Sequence, residues 1–113
     1  MIYPWFNATQ KDADFYAEHL AGRMPEKLLD AHVHMNLLEH VREVTPERMK
    51  EDWALESGLH MDWEAAAHYY ATLFPDIEVE LNAFPFPLPE VDIPANNGYL
   101  GALADEGKLH AMM

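Results

Sequence analysis

Apolar and polar positions alternate in two stretches of the chain and recur at helical spacing in several others. The first alternating stretch, Lys27-Leu28-Leu29-Asp30-Ala31-His32-Val33-His34, follows Pro25 and Glu26 and predicts a buried strand. A period of two puts Asp30, His32 and His34 on one face. Leu29, Ala31 and Val33 take the other, which is expected to pack against helices. In the second stretch, residues 77–84, Ile77, Val79 and Leu81 alternate with Glu78, Glu80 and Asn82. So polar a face leaves two options: only residues 79–84 are core strand, or Glu78 and Glu80 lie toward solvent at its start. Residues 109–113 predict a third strand.

Helical spacing fills the gaps. Residues 10–21, preceded by Asn7 and Thr9 as candidate caps and stopped by Gly22, predict a helix with Phe15, His19 and Leu20 about one turn apart. Thr45-Pro46 is a helix start, because Thr caps and Pro suits the first helical position; this helix is expected to reach Ser57, end at Gly58 and turn Met49, Trp53 and Leu55 inward. A further start at Asp62 carries the stripe Trp63, Ala66, Ala67, Tyr70 and Phe74 up to the helix breaker Pro75. One of these two helices is extra to a simple strand-helix-strand unit and is a candidate lid. His60 and His68 sit on or near the pair and read as structural, and His19 as a surface residue. Asp92, Pro94 and Gly107 bracket the last helix, with Tyr99, Leu100 and Leu103 facing the sheet. Between the second strand and this helix, Phe84-Pro85-Phe86-Pro87-Leu88-Pro89 cannot continue a sheet, since proline lacks the donor, and predicts a rigid loop.

The order strand, helices, strand, helix, strand defines an α/β class with parallel pairing. Residues 1–26, opening with the aromatic run Met1-Ile2-Tyr3-Pro4-Trp5-Phe6, form an N-terminal helical extension, and residues 27–113 form the α/β part. With 113 residues, 20 acidic side chains against seven Lys and Arg, and a net charge of −13, the chain repels phosphate backbones and anionic lipid, so neither nucleic acid nor membrane is an expected partner. The absence of cysteine excludes disulfide and thiolate chemistry and fits a cytoplasmic setting.

The chemistry-bearing feature is the His-x-His pair that ends the first strand. Imidazoles two residues apart are about 6.6 Å apart along a strand and can lean toward one ion at about 2.0 to 2.1 Å. His32 and His34 are therefore candidate metal ligands. Asp30 is a candidate for orienting an imidazole from behind. Asn36 and His40 lie on the loop after the strand, where they are candidates to reach a substrate or the ion, and Phe84 and Phe86 are candidates to wall a pocket. A zinc-like divalent ion on neutral imidazoles lowers the pKa of bound water and polarises carbonyls. Two ligands do not make a catalytic site, which has three or more protein groups and an open position.

Leu-Leu-Asp-Ala-His-Val-His at 28–34 resembles the first barrel strand of the amidohydrolase superfamily. The stretch 93–100, Ile-Pro-Ala-Asn-Asn-Gly-Tyr-Leu, with Gly107-Lys108-Leu109-His110-Ala111 after it, is similar to the second helix and third strand of the aminocarboxymuconate-semialdehyde decarboxylase-like branch. The resemblance covers residues 27–113. It implies the first part, about three parallel strands with helices, of a TIM (β/α)₈ barrel that stops in the third strand. It also implies hydrolysis or non-oxidative decarboxylation of a small carboxylated substrate at a divalent metal, zinc in the first instance, with the remaining ligands on later strands. A complete barrel needs about 250 residues, so the fragment alone is expected to be inactive, and to need its C-terminal barrel portion or a homo-oligomeric partner. Two other readings remain: a small acidic α/β binding or oligomerisation module with incidental histidines, and a histidine-rich metal carrier, against which the scatter of His19, His60, His68 and His110 speaks.

Overall fold

A computed structural model describes residues 6–57 and 59–112. The aromatic lead-in before Phe6, Gly58 as a helix stop and Met113 lie outside the described residues.

Helix α1 (Gln10–Phe15) opens with Asp12 accepting from the Thr9 N–H at 2.6 Å and continues as one π-helical turn, Tyr16–Leu20, before Gly22 at φ 74° reverses the chain. Strand β1 (Lys27–His34) follows. A 3₁₀ turn (Leu38–His40) leads into two short helices, α2 (Pro46–Glu51) and α3 (Trp53–Ser57), and then α4 (Trp63–Leu73). Strand β2 (Glu78–Phe84), helix α5 (Ile93–Asp105) and strand β3 (His110–Ala111) complete the chain. The caps are the expected ones: Thr45, Asp62 and Asp92 each accept a backbone N–H of the first turn they precede.

The sheet has three parallel strands in the order β1-β2-β3. One core cluster joins Val33, Leu81 and Ala83 of the strands to Ala66 of α4 and to Leu100 and Leu103 of α5. Both crossover helices therefore cover the same face of the sheet. Among the described residues the other face is bare of helices. Leu29 is 57% exposed and Met112 55%, while Glu80, Asn82 and His110 stand between them. Lys27 bonds Glu80 at 2.7 Å and His110 reaches the same carboxylate at 3.2 Å. Of the two options for the second strand, it is therefore the whole of residues 78–84 that pairs, with its polar side chains on the uncovered face.

The expected helix over residues 45–57 is instead two. Asp52 leaves helical conformation at φ −137°, ψ 111°, and its carboxylate accepts the Ala54 N–H at 3.0 Å, so it caps a new helix in the middle of the predicted one. The break rotates the inward face. Trp53 is 76% exposed and Met49 42%, whereas Ala54 and Leu55 are buried with Leu59 and Val91 in a second, smaller core. Arg48 clamps this unit to the segment before α5 by bonding both oxygens of Glu90, at 2.6 and 3.3 Å. That guanidinium holds the Glu90 carboxyl below the usual carboxylate range.

Candidate metal centre

The pairing of β1 with β2 is irregular at the point where the histidines begin. Asp30 pairs with Leu81 and Val33 with Ala83, so β1 advances three residues while β2 advances two. One extra residue in a strand reverses the facing of everything after it. The expectation that Asp30 shares a face with His32 and His34 is overturned for this reason. Asp30 turns to the helix-covered side, where the Tyr70 hydroxyl of α4 donates to its Oδ2 at 2.6 Å, and Val33 enters the core on that same side. His32 and His34 turn to the bare face.

There the two imidazoles converge. Their Nε2 atoms lie 3.1 Å apart and their ring centroids 4.9 Å apart at 79°. Two nitrogens bound to one tetrahedral ion at 2.0 to 2.1 Å lie about 3.3 to 3.4 Å apart, so the pair is within a few tenths of an ångström of a shared-ion geometry. His34 Nδ1 lies 3.4 Å from the Pro85 carbonyl oxygen. A carbonyl only accepts, so Nδ1 carries the proton and Nε2 of the neutral ring presents its lone pair. That is the tautomer a ligand with a carbonyl behind it adopts. His32 then donates its Nε2–H to His34, and a bound ion would replace that proton. The residues present thus fit two ligands of a divalent ion. Among the described residues no group of three or more His, Cys, Asp or Glu side chains is placed to hold one.

The aromatic residues of the proline loop wall the pair. Phe86 stacks on His34 at 4.0 Å and 13°, and Phe84 meets His34 and His32 edge-on at 4.6 and 4.8 Å. Burial under these rings holds the His34 imidazole below its ordinary value, and the neighbouring His32 adds to the shift. A histidine whose folded value is depressed contributes stability that is present above about pH 6.5 and is lost as pH falls from there toward the folded value. Between pH 7 and 5 the urea midpoint of the wild type is therefore expected to fall further than that of His34→Asn, and parallel curves would contradict this.

The remaining candidates lie behind the site. Asn36 is fully buried: its Oδ1 accepts the Phe86 N–H at 3.2 Å, its Nδ2 donates to the Leu59 carbonyl at 3.3 Å, and its own carbonyl accepts from Met61. It fastens the aromatic loop to the end of β1 rather than facing a ligand. His40 bonds through Nδ1 to Asn96 Oδ1 at 3.1 Å. Two further residues hold this region, Asn96, which carried no role of its own in the sequence, and His60, which read as structural and is so. Asn96, fully buried on α5, donates to the Met35 carbonyl at 2.6 Å and accepts the Leu37 N–H at 3.0 Å. His60 accepts the Leu38 N–H at 2.9 Å through Nδ1. The Asn-x-x-aromatic pattern that carries the family likeness was the available signal for Asn96. No local signal marks His60. A cleft of about 540 Å³ lies apart from the histidines, lined by Thr9 and Tyr16 of the extension and by Thr72 and Pro75 beyond it.

Comparison with protein-family models, with curated proteins and with solved structures gives no match to the chain. Among the described residues no helix is long and apolar enough to cross a membrane.

Proposed function

We propose that this chain is the N-terminal part of an amidohydrolase-like, metal-dependent enzyme of (β/α)₈ type, acting on a small carboxylated substrate by hydrolysis or non-oxidative decarboxylation. The observation that carries the reading is the His32–His34 pair, with its two Nε2 atoms 3.1 Å apart at the C-terminal end of a parallel strand. Barrel enzymes build their sites at that end of the strands. Two further features support it. The sheet is wound with both helices on one face, as in a barrel and unlike a doubly wound sheet, and its bare face carries Glu80, Asn82 and His110 where a barrel interior would lie.

In this reading His32 and His34 hold a divalent ion, zinc in the first instance, which supplies an activated water or a polarised carbonyl. Phe84 and Phe86 keep bulk water from the back of the imidazoles. The further ligands and the general base belong to later strands, so the 113 residues alone are expected to be inactive. The bare face calls for the rest of the barrel, or for another copy of the chain.

The test is the size and metal dependence of the native protein. In its source cell a polypeptide of roughly 250 residues or more is expected, with an activity that chelation abolishes and that His32→Ala and His34→Ala both remove. A native mass of 13.0 kDa in a monodisperse, metal-free oligomer would contradict it and favour an acidic binding module.

A further inference from the structure

The Asp30 carboxylate links the helix layer to His32 of the candidate metal pair. Its Oδ2 accepts the Tyr70 hydroxyl at 2.6 Å, and its Oδ1 accepts the backbone N–H of His32 at 3.1 Å. The second bond spans the place where β1 gains its extra residue, between the Asp30–Leu81 and Val33–Ala83 pairs. The main-chain N–H of His32 is thus bonded by a side chain at the irregularity. Asn82 of β2 donates to the Ala31 carbonyl at 3.3 Å within the same irregularity, so Asp30 holds it from the helix side and Asn82 from the strand beside it. A regular register would return His32 to the face Asp30 now occupies.

We infer that Tyr70 and Asp30 are positioning residues for the metal pair: they hold the bulge that delivers His32 to His34, without touching the ion. The inference rests on the metal reading of the pair. Tyr70 is suited to the task, because its ring is packed against the main core while its hydroxyl reaches the Asp30 carboxylate of β1. Burial, with the Asp30 carboxylate beside it, raises the phenol's pKa, so it remains a donor throughout the range in which imidazoles bind metal. The helix α4 is in this way coupled through the sheet to the site on the opposite face.

The test is a zinc titration of the full chain, followed by NMR at the ring resonances of His32 and His34, for wild type, Asp30→Ala, Asp30→Asn, Tyr70→Phe and His32→Ala. Loss of an outer group that orients a ligand costs about 10- to 100-fold in metal affinity. Asp30→Ala is expected to weaken binding by about tenfold or more and to shift the His32 ring resonances in the metal-free protein. Asp30→Asn retains an oxygen for the His32 N–H and should restore affinity to near wild type, with Tyr70→Phe between the two. Should Asp30→Ala not fold, Tyr70→Phe and Asp30→Asn carry the test. Wild-type affinity in both Asp30→Ala and Tyr70→Phe, with binding lost in His32→Ala, would overturn the positioning role and leave the metal pair standing. Lowered stability with unmoved His32 resonances would overturn it too. Identical titrations of wild type and His32→Ala would overturn the metal reading and this inference with it.

Discussion

Asn96→Leu is expected to lower the free energy of unfolding by about 3 to 5 kcal/mol, the range reached when several buried partners lose their bonds at once. The side chain is fully buried and makes three bonds: to the Met35 carbonyl, from the Leu37 N–H and with His40 Nδ1. Leucine fills the space but leaves two backbone groups next to β1 without partners, and each such group costs about 1 to 3 kcal/mol. The neighbouring Asn97 is the control. Its buried Oδ1 has no hydrogen-bond partner among the described residues, so Asn97→Leu should be near neutral. Urea unfolding of the three proteins decides the matter, and equal losses at 96 and 97 would contradict it.

Leu100→Ala should cost about 3 kcal/mol, within the 2 to 5 kcal/mol typical of a large-to-small change in a packed core. Leu100 has no exposed surface and belongs to the core cluster that joins α5 to Val33, Leu81 and Ala83, so the main core between sheet and helices loses contacts. A domain of this size has about 5 to 15 kcal/mol in all, and the variant should show a large drop in denaturation midpoint. Leu29→Ala, on the bare face, should change stability by less than about 1 kcal/mol, because that side chain is already in water. Comparable losses at both positions would mean that the face is covered in solution.

What was legible in the sequence follows from how local each signal is. The strand over 27–34 has the bounds its alternation predicts, and helices α4 and α5 begin at the capping aspartates Asp62 and Asp92. The convergence of His32 and His34 was readable because two residues of one strand differ by a fixed step. The place of Asp30 was not. A period of two assumes an uninterrupted ladder, and neither glycine nor proline marks the extra residue in β1. The same holds for Asp52, whose side chain competes with the helix it interrupts and thereby turns Trp53 outward. Asn36 read as a loop residue and proved to be an internal fastener, since the partners of a buried amide are brought by Phe86 and Leu59, distant in sequence. Phe84 and Phe86 lie against the imidazoles because the proline loop follows the strand that pairs with β1.

The role of His32 and His34 as a pair is tested most directly by X-ray absorption at the zinc edge of the metal-loaded chain. The geometry predicts two imidazole nitrogens at about 2.0 to 2.1 Å, lost together in the His32→Ala/His34→Ala variant. An imidazole count and distance unchanged by the double substitution would place the ion elsewhere and contradict the account.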